Sequence, residues 1–157
     1  MMRAAARAGR IAAALLISAG AVACADGPAK PVSLSGPNEA CRSCRMAVSN
    51  QRFAGQIVAP GEEPMFFDDI GCLSAYAQGS TPMPRGAAAY VADHRTGAWV
   101  PVATAIFTVV PGLETPMGSH VIAHGTAASR DADPDARGGT GAALAKLFPG
   151  GAPEGRR

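Results

Sequence analysis

Between residues 46 and 123 the apolar positions fall in short runs broken by Gly, Pro, Asn and Asp, the pattern of strands joined by turns. The runs at 46–49 and 53–58 predict two strands joined around Asn50-Gln51, and Pro60-Gly61-Glu62-Glu63-Pro64 turns the chain into a third at 65–67. Asp68 or Asp69 is suited to cap a short helix over 70–78, closed by Gly79. Past the Pro-rich link 81–85, strands are predicted at 87–92, 99–102, 105–110 and 120–123, with a turn through His94-Arg95-Thr96-Gly97 after the first of these. The C-terminal stretch is rich in Gly, Asp and Pro except for 142–148, which suits a second helix. One or two short helices among many short strands predict a small single domain of the α+β class over 39–148, followed by a loose tail at 149–157.

The leading residues belong to a different pattern. Arg3, Arg7 and Arg10, an apolar run at 11–22 and Ala21-Val22-Ala23 before Cys24 read as a removable secretory signal over 1–23. The apolar run is too short to span a bilayer. Its removal leaves 134 of the 157 residues, enough for one core, and takes away three basic residues and no acid, so that 11 basic side chains face 12 acidic ones. No basic block remains, and nucleic acid is not an expected partner. A cysteine directly after a small residue at the end of the apolar run resembles the lipobox of bacterial lipoproteins, in which that cysteine is acylated. Cys24 is therefore expected to anchor an extracytoplasmic protein to a bacterial membrane, in the periplasm or at the cell surface. Because Ala-x-Ala also serves ordinary signal peptidase, a soluble secreted chain beginning at Cys24 is the alternative. The stretch 24–38 then reads as a flexible tether reaching on the order of 20 Å.

Candidate chemistry is concentrated in Cys41-Arg42-Ser43-Cys44-Arg45-Met46, which puts three sulfur side chains in six residues, with Cys72 following at the start of the predicted helix. Soft donors at that density suit Cu(I). In an extended segment Cys44 and Met46 share a face with Cα atoms about 6.6–6.8 Å apart, so both sulfurs can lean onto one ion. Cys41 can fold back as a further donor, and Cys72 can approach from the end of the third strand. A second donor cluster lies at Thr115-Pro116-Met117-Gly118-Ser119-His120, with His124 four residues on. His120 and His124 share a strand face but lie roughly 13 Å apart, too far to hold one ion together. Met65 and Met83 read as core or loop residues, His94 as a loop residue, and Asp68-Asp69 as a helix cap on a solvated turn. The cysteines admit other chemistries as well: with a histidine they would complete a Cys₃His zinc site, Cys-x-x-Cys alone would make a thiol redox pair, and Cys41–Cys44 or Cys44–Cys72 would make a plain disulfide. No nucleophile, base and acid can be assembled from the spacing, so the protein is not expected to be an enzyme.

Taken in order, the lipobox-like Cys24, Cys-x-x-Cys-x-Met at 41–46, Ala54-Gly55-Gln56-Ile57, Phe66-Phe67-Asp68-Asp69-Ile70-Gly71-Cys72 ahead of Tyr76, Tyr90-Val91-Ala92-Asp93 before Trp99, and Thr115-Pro116-Met117-Gly118 resemble the NosL family of copper-binding lipoproteins. The resemblance covers 39–124. It implies an α+β fold of repeated ββαβ-like units and a role as an extracytoplasmic Cu(I) chaperone for maturation of nitrous oxide reductase, working with an ABC-type transporter. It also implies Cys44 as thiolate ligand and Met46 and Met117 as thioether ligands, with Cys41, Cys72 and His120 as additional or exchange ligands. Arg45 stands where a glycine is common in the family, and the segment holding Pro134 and Gly138-Gly139 only loosely echoes its final helix.

Overall fold

A computed structural model describes residues 28–35 and 39–155. The signal over 1–23 and the anchor at Cys24 lie outside the described residues. The chain builds two antiparallel sheets. In the first, β1 (Gly55–Val58) pairs with β2 (Met65–Phe67) on one side and β3 (Ala88–Ala92) on the other, and β4 (Trp99–Pro101) extends the β3 edge. Helix α1 (Ile70–Ala77) joins β2 to β3. In the second sheet, β5 (Ile106–Val109) lies between β6 (Val121–His124) and β7 (Thr140–Ala142), and α2 (Ala127–Asp131) follows β6. A last helical turn, α3 (Leu144–Leu147), follows β7. Each half thus runs ββαβ, with its first strand central and flanked by its second and third. The architecture is α+β, as the short strand-like runs predict.

One core serves both halves. Ile57, Phe67, Leu73 and Val91 from the first half pack with Phe107, Val121, Ala123 and Phe148 from the second, all 5% exposed or less. At about 1.5–3 kcal/mol for each large apolar side chain removed from water, this shared cluster is the main force holding the halves together. Alternation along β1 and β3 sends Gln56, Val58, Ala88 and Tyr90 to the opposite face of the first sheet.

That opposite face is covered by part of the stretch that the sequence reads as tether. The Gln56 amide donates to Val32 O (3.0 Å) while its oxygen accepts from Val32 N (2.9 Å), as a neighbouring strand would. The Tyr90 hydroxyl donates to Ala29 O (2.8 Å). A buried glutamine must find such partners, and residues 28–35 supply them. The end of the chain also docks, through Gly155 N donating to Ala87 O (2.9 Å) and a bridge between Glu154 and Ala88.

Other differences have local causes. Residues 46–49 form no strand: Ala47 makes a single bridge to Ala40, and Asn50 caps a 3-10 turn (Gln51–Phe53) by accepting from Arg52 N (3.1 Å). Helix α2 arises where the sequence suggests only a Gly-, Asp- and Pro-rich stretch, because Thr126 accepts from Ser129 N (3.0 Å) and caps it. The helix expected over 142–148 is confined to α3, its first residue being taken by β7. Among the described residues no helix is long and apolar enough to cross a membrane.

Candidate metal centre

The Cys41–Met46 loop is closed by two backbone bonds, Arg45 N to Cys41 O (3.0 Å) and Cys41 N to Met46 O (2.7 Å). Arg45 closes it in the left-handed region (φ 68°), where a β-carbon is disfavoured. This turn, rather than the two-residue repeat of a strand, sets the relation of Cys44 to Met46. Cys41 points into the core with no exposure, and Arg42 N donates to Phe66 O (2.7 Å), docking the loop on the end of β2.

Docking there puts the loop against the start of α1. Cys41, Cys44, Asp68 and Cys72 each offer one ligand atom, and these atoms lie within 4.8 Å of one another. All three cysteines are free thiols, so the plain-disulfide alternative is not what the structure contains. Cys44 directs its thiol at both oxygens of Asp68, 3.4 and 3.5 Å away. Burial pushes the Cys44 and Cys72 thiols up, and for Cys72 the neighbouring Cys41 and Asp68 charges push the same way. Burial thus favours the neutral form of Cys44 and Cys72, and an ion bound to their thiolates must displace those protons. A tetrahedral ion with sulfur at about 2.3 Å needs sulfurs about 3.8 Å apart, so a modest contraction of this cluster would close around it.

Asp68 and Asp69 differ in role, and neither is solvated, being 3% and 0% exposed. Asp69 caps α1 by accepting from Gly71 N (2.6 Å), and its other oxygen accepts from the Thr115 hydroxyl (2.7 Å) and Met117 N (3.0 Å). Burial alone would raise its carboxyl; hydrogen bonds from Ser119, Thr115, Met117 and Gly71 overcome that and hold it below the usual range. Asp69 therefore pins the β5–β6 loop, with Met117 on it, to the helix that carries Cys72. Among the described residues the exposed large apolar side chains are Val32, Met46 (57%) and Met117 (47%). Two of these three are the methionines that adjoin the thiol cluster through the chain or through Asp69, so neither is a core methionine.

His120 is exposed at the end of the same loop, in a left-handed conformation (φ 57°), with Nδ1 2.7 Å from Leu113 O. Donation from Nδ1 leaves Nε2 with a lone pair, the arrangement usual for a metal-ligating imidazole. His124 points elsewhere. It is fully buried with His94, and both rings contact one oxygen of Asp133, at 2.9 and 2.7 Å. The sequence marks neither Asp68 as a ligand candidate nor this second cluster. Asp68 is masked by its neighbour, the obvious cap. His94, His124 and Asp133 lie on three separate segments whose meeting no spacing records.

The two-unit α+β frame carries a cluster of three thiols and a carboxylate with the donors and spacing to hold a metal ion. The NosL family model matches residues 31–147, and the chain belongs to the NosL family, copper-binding accessory proteins linked to maturation of nitrous oxide reductase. No curated protein and no solved structure matches it.

Proposed function

We propose that the protein is a membrane-tethered extracytoplasmic Cu(I) chaperone that delivers copper to a cuproenzyme, nitrous oxide reductase, together with an ABC-type transporter. The observation that carries this reading is the nearness of a half-buried thiol to exposed thioethers: Cys44 beside the buried Cys41, Cys72 and Asp68, with Met46 and Met117 at the surface. Thioethers favour Cu(I) and add little for zinc. In this reading Cys44, Met46 and Met117 hold the ion, Cys41, Cys72 and the Nε2 of His120 act as additional or exchange ligands, and the surface methionines pass it on by stepwise displacement. Acylated Cys24 holds the carrier at the membrane.

Asp68 favours a second reading. Its carboxylate with three thiolates is a complete tetrahedral set for structural zinc, which has no need of either methionine. Reconstituting the protein anaerobically with an equimolar Cu(I)/Zn(II) mixture and measuring retained metal separates the two: retained copper is expected whatever zinc is held elsewhere, and zinc without copper would overturn the chaperone. Fractionation tests the anchor, with wild type expected in membranes and Cys24→Ala released or unprocessed. Wild type recovered wholly soluble with a free Cys24 thiol would contradict it.

A further inference from the structure

His94, His124 and Asp133 form a second donor cluster, apart from the thiols and built on different elements. His94 opens the β3–β4 turn, with its backbone N donating to Ala123 O (2.8 Å). His124 ends β6, and Asp133 follows α2. The side chains of all three are 3% exposed or less. Asp133 receives both imidazoles on the same oxygen, while its other oxygen accepts from Asp135 N (3.0 Å), which fixes the carboxylate plane. The two rings meet edge to face with centroids 6.3 Å apart, so their nitrogens converge on the carboxylate from different directions.

The geometry points to a divalent metal site of His₂Asp composition, suited to a borderline ion of the Zn(II) class, held by His94 Nδ1, His124 Nε2 and Asp133 Oδ2. Nitrogen and carboxylate donors select that class as the thiols select soft ions, and three protein ligands with an open fourth position are a common zinc arrangement. Ligands at 2.0–2.2 Å in tetrahedral array stand about 3.3–3.5 Å apart. The present contacts of 2.7 and 2.9 Å therefore open by about half an ångström as the ion takes the place of the two bridging hydrogens. Binding moves the single proton of each neutral imidazole from the ligating nitrogen to the other ring nitrogen. For His94 that nitrogen, Nε2, lies 4.0 Å from the Asp135 carboxylate, near enough for a charge attraction and beyond a direct hydrogen bond. For His124 it is Nδ1, buried with no hydrogen-bond partner among the described residues, so a proton there lacks an acceptor and weakens the site by that cost. Access is from the side of Asp133, which lines a cavity of about 310 Å³ together with Asp131 and Arg130.

The test is a Zn(II) titration of the intact wild-type chain read by histidine side-chain NMR, alongside the stoichiometry of bound zinc. The expected result is movement of the His94 and His124 ring signals with uptake of one equivalent that survives alkylation of the thiols, and loss of that equivalent by at least tenfold in affinity in Asp133→Asn. If Asp133→Asn does not fold, the wild-type spectra decide. Saturating Zn(II) that leaves both rings unmoved, moves only His120, or binds Asp133→Asn unchanged would overturn the site. Copper binding at the thiols is measured separately, so either site can fail without the other.

Discussion

Arg45 is the residue at which the metal loop departs most from easy backbone geometry. A left-handed φ of 68° costs a non-glycine residue about 1–2 kcal/mol, and the loop needs it to bring Cys41 and Met46 into register. Arg45→Gly is expected to leave stability within about 1 kcal/mol of wild type or to raise it, the relief of strain offsetting the looser unfolded chain, whereas Arg45→Val lowers it. Thermal denaturation checks the pair; a valine variant as stable as the glycine one would contradict the account. Asp93 carries the opposite kind of specialisation. It is 4% exposed, yet accepts from Gly125 N, Thr96 N and the Ser129 hydroxyl, and these bonds outweigh burial and lower its carboxyl from 3.8 to about 2. A lowered folded value stabilises above the unfolded one, so about 2 kcal/mol is present above pH 4 and lost as the pH falls toward 2. Denaturant titrations at pH 5 and pH 2.5 are expected to show that loss in wild type and a smaller one in Asp93→Asn. At this scale the meeting of Cys41, Cys44 and Cys72 was legible, because thiols so close together in sequence, followed by one at a helix start, point to a shared site. Arg45 was noticed only as a departure from glycine, and the φ explains why glycine suits the position.

Among the elements, α1 does most to place the site. Asp69 caps it and Cys72 sits in its first turn. Gly71 lets the β5–β6 loop approach so closely that a β-carbon there would lie 2.8 Å from Ser119 Cβ. Gly71→Ala is expected to cost about 1–3 kcal/mol and to push the loop with Met117 away from the thiols. The check is Cu(I) affinity beside stability: a variant that loses neither would show that the close approach is unimportant. The strand and helix pattern around α1 was readable because Pro64 and Asp68 bracket β2 and an acidic cap precedes an apolar run. The apolar run at 46–49 forms a loop in which Met46 is exposed and Val48 buried, whereas a strand would set both on one face. α2 and β7 were missed for a related reason: a five-residue helix and a three-residue edge strand bury little and leave almost no period to read.

Across the whole molecule, the metal cluster sits where the two ββαβ halves meet. The first half carries Cys41, Cys44, Met46, Asp68 and Cys72, and the second half's β5–β6 loop, pinned to Asp69 through Thr115 and Met117, carries Met117 and His120. A ligand contributed across a junction can move without unfolding either half, which suits uptake and release of an ion. In the proposed function, thioethers from both halves hold Cu(I) together with the Cys44 thiolate. Leucine replaces methionine with similar volume and apolarity, and at these exposed positions stability should change by less than about 1.5 kcal/mol. The measurement is a competitive anaerobic Cu(I) titration against a chromophoric chelator for wild type, Met46→Leu, Met117→Leu and Cys44→Ser. Binding is expected to weaken in both methionine variants and to be weakest in Cys44→Ser, which loses the anionic ligand. Cu(I) held as tightly by both methionine variants as by wild type would contradict the proposed function.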